Sequence, residues 1–300
     1  MIEVNNVSKS FSRVRALHDV TLRVEPGERV AFVGANGSGK TTLLRALIGL
    51  VRVEGQVRIR GVDPARSPEE ALRHVAYIPQ IAPPLEAPVG EVVRAFCALR
   101  GRTYDDVRAR VARLGLDLEA LRPTRFRDLS GGQKQKLLAA MALATEAPIL
   151  VCDEPTANLD PVARTAFFEQ VHERAGESIL ILCSHRLDEV RTLVDRVVEL
   201  RDGRVVRDCP LATHLDSEAT FRVEVEIKRA APELSVFTDE LRTLGFRQVG
   251  PGRLAAHLGH AEKLAIVGRL VRERGELLQD LTISDGEGAA WMRPWQGSAS

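Results

Sequence analysis

The chain is 300 residues long, 44% apolar and 28% charged, with a formal net charge of +1. That length gives room for one large or two ordinary domains with a proper core, and so balanced a charge argues against nucleic acid as a partner. No apolar run approaches the roughly 18 residues of a membrane helix, the opening Met1-Ile2-Glu3-Val4 is no basic, apolar leader, and Cys97, Cys152, Cys183 and Cys209 show no paired spacing, so a reducing cytosol is expected.

Residues 2–8 and 17–25 alternate apolar and polar side chains as strands do, with Val20, Leu22 and Val24 on one face. After the turn signal Pro26-Gly27-Glu28, the apolar run Arg29 to Val33 leads into Gly34-Ala35-Asn36-Gly37-Ser38-Gly39-Lys40-Thr41-Thr42, and Leu43 to Ile48 then has helical spacing. Strand, glycine loop and helix in that order is the context that makes G-x-x-x-x-G-K-T a phosphate-binding loop. The glycines let successive amides turn into one cavity, and the helix N-terminus adds partial positive charge there. Lys40 then reaches the terminal phosphates, and Thr41 offers its hydroxyl to a magnesium ion.

A short strand between Gly55 and Gly61, a short helix after Ser67-Pro68 and a strand over 74–80, broken by Pro79, come next. Residues 85–147 change character: helices are expected at 89–100, 104–114 and 131–146, a helical insertion in an α/β scaffold. The β pattern resumes with the all-apolar run Ile149 to Asp153, of the kind found in buried parallel strands. A helix at 161–175, a strand from Ser178 to Cys183, a helix at 186–194 and a hairpin over 195–208, turning at Asp202-Gly203, complete a mostly parallel sheet covered on both faces. A second unit is expected over 216–285, with the order β-α-β-β-α-β of a ferredoxin-like split unit. Its first helix is opened by Pro232. The tail 286–300 is rich in small residues and expected to be mobile, with Trp291 and Trp295 as possible anchors.

Two further stretches carry chemistry. Asp153-Glu154 ends a buried parallel strand, where two acids face the crevice into which the phosphate loop also opens. Asp153 suits magnesium, and Glu154 suits the polarisation of a water attacking the γ-phosphate. In Leu129-Ser130-Gly131-Gly132-Gln133, Ser130 with Gln133 forms a capping box that opens an amphipathic helix. Gly131 and Gly132 are not explained by that, because glycine in a first turn lowers helix stability by up to ~1 kcal/mol apiece. They make sense if the backbone must come close to something, and a helix N-terminus attracts an anion.

With these motifs in order, the sequence resembles the nucleotide-binding subunit of an ATP-binding cassette (ABC) transporter. Residues 1–215 carry the family's landmarks: the Walker A loop at 34–41, Gln80, the signature at 129–133, Walker B at 149–154, and Ser184-His185. The resemblance implies a phosphate-loop ATPase working with ATP and Mg2+, a head-to-tail dimer with itself or a paralogue, and a separate membrane permease. It places the subunit in the cytoplasm, peripheral on the cytoplasmic face of the inner or plasma membrane. It implies that Phe11 stacks on adenine, that Gln80 touches magnesium, and that His185 contacts the γ-phosphate. Ser130, Gly131, Gly132 and Gln133 would cover the nucleotide held by the partner protomer, and Ala157 to Asp160 matches the loop exchanged between protomers. The compact segment after Gln80 and the Leu-Cys-Ser-His run at 182–185 resemble the small exporter-type subunits, and the second unit reads as a dimerisation piece in preference to a regulatory ligand sensor or a packing appendage. A soluble cassette ATPase doing mechanical work on a non-membrane partner is the alternative.

Overall fold

The computed structural model describes residues 1–285 apart from 13, 175, 177, 219 and 229–233. The expectations for Pro232 and for the tail 286–300 lie outside the described residues. The chain divides into two compact units between Leu211 and Ala212, a few residues ahead of the expected position.

The first unit opens with strands β1 (Ile2–Phe11) and β2 (Val14–Val24), then β3 (Arg29–Val33), helix α1 (Lys40–Leu47), β4 (Glu54–Ile59), α2 (Pro68–Leu72) and β5 (Val75–Ile78). The helical stretch holds α3 (Val89–Arg100), α4 (Tyr104–Arg113), α5 (Leu118–Leu121) and α6 (Gly131–Ala144). The rest is β6 (Ile149–Asp153), α7 (Pro161–His172), β7 (Ile179–Cys183), α8 (Leu187–Leu193) and the hairpin β8 (Arg196–Arg201) and β9 (Arg204–Pro210). Helix α9 (Leu211–Glu218) crosses the division and has no counterpart in the sequence reading.

Two sheets result. The larger has the order β5-β6-β7-β3-β8-β9, parallel from β5 to β8 with β9 antiparallel at the edge. Its five parallel strands are almost wholly buried, which is why β6 and β7 read as nearly unbroken apolar runs, whereas β8 carries Glu199 among its valines and leucine. The smaller sheet, β2-β1-β4, is antiparallel. The strands at 2–24 and 54–59 were legible as strands, yet their separation into a second sheet was not. Its alternating pattern buries one face only, and that face meets α1 and the larger sheet: Val20, Leu22 and Val57 join Leu43, Leu44, Leu47, Phe32, Val151 and Ile181 in one core. Burying side chains of this size contributes about 2 kcal/mol each.

The topology sets the site. Strands β5, β6, β7 and β3 are neighbours and all parallel, so the segments that follow them leave the sheet on the same side. In register, Asp153 pairs with Cys183, and Cys183 with Phe32. In the helical stretch, the Thr103 hydroxyl accepts from the Asp106 amide at 3.1 Å, Asp117 caps α5, and Ser130 caps α6. Helix α6 is not the amphipathic element expected. Every residue from Ala139 to Ala144 is buried, so the helix is enclosed all round over its second half.

The second unit contains β10 (Thr220–Ile227), α10 (Leu234–Thr243), β11 (Arg247–Gly250), β12 (Arg253–Gly259), α11 (His260–Arg274) and β13 (Leu278–Asp285). Its sheet has the order β11-β12-β10-β13, with every pair antiparallel. The inward alternation Val223, Val225, Ile227 packs with Phe237, Leu241 and Leu270 of the helices.

Candidate functional site

The loop between β3 and α1 is shaped by glycine at two crowded points. Gly34 has φ +140, and a Cβ there would lie 2.2 Å from the Leu200 carbonyl oxygen. Gly39 has φ +104, and its Cβ would lie 2.6 Å from the Ala16 carbonyl oxygen. No other residue could let the backbone pass so close. The hairpin β8–β9 braces the loop: the Gly203 amide donates to the Ser38 carbonyl at 3.1 Å, and the His18 amide donates to the Gly203 carbonyl at 2.8 Å. Lys40 Nζ donates to the carbonyls of Gly34 and Ala35 at 2.7 and 2.9 Å, curling its side chain back over the loop. The first turn of α1 has no side-chain cap and no acidic residue, so its amides keep their attraction for an anion.

A cavity of about 320 Å³ opens beside this loop, lined by Asn36, Gly37, Gly39, Lys40, Thr41 and Thr42, and by Gln80, Asp153, Glu154 and Cys183. Residues from 36 to 183 thus meet because β3, β5, β6 and β7 end together. Asp153 is buried, and burial, reinforced by Glu154, raises its carboxyl above the usual range. A hydrogen bond from Thr41 and the charges of Arg45 and Lys40 oppose that shift. Cys183 is a buried neutral thiol, since burial pushes its pKa well up.

Glu154 stands in the left-handed region at φ 50, which costs a non-glycine residue about 1–2 kcal/mol. Its amide donates to the Cys183 carbonyl at 2.8 Å, fixing the start of the turn. Its carboxylate Oε2 lies 2.8 Å from His185 Nδ1, so the acid and the histidine meet at the cavity edge. His185 is largely exposed in that pair and Glu154 mostly buried.

Behind this pair is a residue that sequence reasoning missed. Glu189 on α8 is completely buried, and burial raises its carboxyl. The Thr156 hydroxyl donates to its Oε1, Ser184 hydrogen-bonds the same carboxyl, and Arg186 Nε lies 3.4 Å away. An acid in the first turn of a helix reads as solvated, so nothing in the sequence pattern set Glu189 apart.

The signature segment lies apart from the cavity. Ser130 Oγ accepts from the Gln133 amide at 3.2 Å, and Gln133 Oε1 accepts from the Ser130 amide at 2.9 Å, so the capping box is complete. None of Ser130, Gly131, Gly132 or Gln133 lines the cavity. One glycine gains a local explanation: a Cβ on Gly132 would sit 3.0 Å from the Asn158 carbonyl oxygen, whereas Gly131 meets nothing nearer than 3.9 Å. The same helix grips the turn after Glu154 through Gln135 Nε2, which donates to the Pro155 carbonyl at 2.9 Å, and Lys136, which pairs with Asp160 at 2.7 Å. Phe11 is half-exposed at the end of β1, with Lys9 Nζ 5.0 Å from its ring centroid.

Residues 17–157 match the family model described as ABC transporter. The chain is 36% identical to an ABC transporter ATP-binding protein of Halobacterium salinarum, over 68% of this chain and 91% of that protein. It is 34% identical to an ABC transporter ATP-binding protein of Streptomyces coelicolor, over 74% of this chain but only 40% of that relative's length. Among solved structures, the dimeric ATP-binding cassette MJ0796 bound to ADP and Pi aligns with a TM-score of 0.62 at 26% identity, over 70% of this chain and 99% of that one.

Proposed function

Because the chain belongs to the ABC transporter family, we propose that it is the ATP-hydrolysing subunit of a transporter whose membrane-spanning permease is a separate chain. The observation that carries the reading is the convergence of Lys40, Thr41, Gln80, Asp153 and Glu154 on one cavity at the carboxyl ends of parallel strands. The loop amides and Lys40 hold the β- and γ-phosphates. Phe11 offers a ring face to adenine. Glu154 orients the attacking water, and His185, aligned by its contact with Glu154, approaches the γ-phosphate. Phosphoryl transfer needs little covalent help from protein groups, so positioning and charge neutralisation dominate.

Magnesium fits the residues present. Thr41, Gln80 and Asp153 offer hard oxygen donors, and a desolvated carboxylate such as Asp153 gains most from a cation brought close. The rest of the coordination would come from phosphate oxygens and water. The ion would neutralise charge on the phosphates.

Hydrolysis then requires a second protomer, whose Ser130 to Gln133 segment closes over the nucleotide; the dimeric relative supports this. No helix among the described residues is long and apolar enough to cross a membrane, so membrane work needs the permease, on whose cytoplasmic face this subunit would sit. Ile81 and Leu99 are exposed at 78% and 85% and give the stretch after Gln80 apolar side chains for such a contact. The second unit, with its antiparallel sheet of order β11-β12-β10-β13, is read as ferredoxin-like and as an aid to dimerisation.

The test is purification of the Glu154→Gln form with ATP from native membranes in mild detergent. A multi-spanning protein in stoichiometric amount is expected. A soluble partner in its place would overturn the transport reading in favour of mechanical work on a non-membrane target.

A further inference from the structure

Behind the cavity lining, Glu189 sits at the centre of a buried polar cluster. Its carboxylate is fully buried; Oε1 accepts from the Thr156 hydroxyl, and Ser184 and Arg186, with Arg186 Nε at 3.4 Å, face it from a separate segment. Thr156 belongs to the turn that follows Glu154. Ser184 immediately precedes His185, and Ser184 Oγ also accepts from the Arg186 amide at 3.0 Å, closing the loop that carries the histidine. One carboxylate therefore joins the turn of Glu154 to the loop of His185 from behind. The front of the same arrangement is the 2.8 Å contact between Glu154 Oε2 and His185 Nδ1.

A buried acid is a costly way to fill space. Left for packing alone, an apolar side chain would serve better, because a buried polar group is destabilising unless it is bonded. Glu189 Oε2 also lacks a hydrogen-bond partner, so the carboxylate is not optimised for stability. What it provides is a further tie between two segments that also meet through the Glu154 amide to the Cys183 carbonyl and through the Glu154–His185 contact. The need for such a brace is plain at Glu154, whose backbone sits at φ 50 and holds that conformation only if its surroundings determine it.

We propose that Glu189 is a positioning residue for ATP hydrolysis, holding Thr156 and Ser184 so that Glu154 and His185 keep their mutual geometry. It touches neither nucleotide nor metal and acts through those two residues. The inference rests on the hydrolysis reading above and deepens it. It separates two quantities: nucleotide binding depends on the loop at 34–42 and is indifferent to Glu189, whereas turnover depends on it.

The full chain is assayed for steady-state ATPase, for affinity toward a fluorescent ATP analogue, and for thermal midpoint, in Glu189→Gln, Glu189→Asp, Glu189→Ala and Thr156→Val. The expected result is analogue affinity within about twofold of the parent in all four. kcat falls about tenfold in Glu189→Gln and Thr156→Val and further in Glu189→Ala, with partial recovery in Glu189→Asp. A misplacement of about 1 Å is sufficient for losses of this order. If kcat per nucleotide-binding molecule is unchanged while only the thermal midpoint drops, Glu189 is a structural residue and the inference fails. Should Glu189→Ala not fold, Thr156→Val decides alone, since it keeps the acid and removes only its link to the turn. Glu154→Gln is run alongside: if that form hydrolyses ATP at the parent rate, the hydrolysis reading itself falls, whatever Glu189 does.

Discussion

Two glycine-bearing helix starts, at Gly39 and at Gly131, look alike in sequence and behave differently in the fold. The first belongs to a finished half-site: its loop is clamped by the β8–β9 hairpin, its lysine is held in place, and two acids line the same cavity. The second satisfies itself. Its capping box is closed, Gly132 is explained by Asn158 of its own chain, and its residues line no part of the cavity. In the proposed function this second helix start faces the nucleotide of another protomer. Gly131, where a Cβ would meet nothing closer than an ordinary 3.9 Å contact with Asn158, is the residue left for that approach.

Substitutions should split along that line. The largest effect is expected for Glu154→Gln, which keeps size and backbone but cannot orient the water: kcat should fall at least about 100-fold with nucleotide affinity retained. Unimpaired turnover, read by phosphate release, would remove Glu154 from its role. Next is Ser130→Arg, which places bulk where a partner's nucleotide would lie. Turnover should drop by a comparable factor of about 100 while affinity of the isolated subunit stays within about twofold; weakened binding in the isolated subunit would mean that the two helix starts share one site after all. Lys40→Ala removes a charge-assisted contact worth about 1.5–3 kcal/mol, or about 10- to 100-fold in affinity measured by titration calorimetry. Binding at parental strength would contradict the phosphate loop.

The smallest effect lies outside both sites. Arg113 and Arg110 hold the exposed Glu173 carboxyl down at about 2. Because the folded value lies below the ordinary 4.5, any stabilisation is present above that pH and is lost as pH falls toward 2. Arg113→Ala should raise the Glu173 pKa toward 4.5 in an NMR titration, with activity at neutral pH unchanged. A Glu173 that still titrates near 2 would show that Arg110 alone suffices.

Much of the cassette was legible because its signals are local. Val30 to Val33 followed by Gly34 to Thr42 fixes a strand, a loop and a helix within a dozen or so residues, and Ser130 with Gln133 announces a helix start by itself. What escaped notice depends on distance. The pairing of Ile2 with Ile59 and of Val4 with Val57 joins residues far apart in sequence, and alternation alone does not say which strand is the neighbour. The left-handed backbone at Glu154 follows from the turn that α6 and β7 impose, through Gln135 and Cys183, and glutamate gives no hint of it. The two acids 154 and 189 are the same residue type; only the burial of Glu189 beside Thr156 and Ser184 sets it apart. Gly132 has a second reason to lack a side chain that the sequence does not reveal, the Asn158 carbonyl 3.0 Å from where a Cβ would sit.

The way Lys40 is held has a bearing on selectivity among anions. Its ammonium is already bonded to the carbonyls of Gly34 and Ala35, so any newcomer must compete with contacts in hand. A lone sulfate or inorganic phosphate offers Lys40 little more than an exchange of one acceptor for another. A chain of phosphates also engages the loop amides and the first turn of α1, recovering the exchange several times over. The number of linked phosphates, more than the charge on any one of them, would then decide what this loop retains in a medium crowded with small anions.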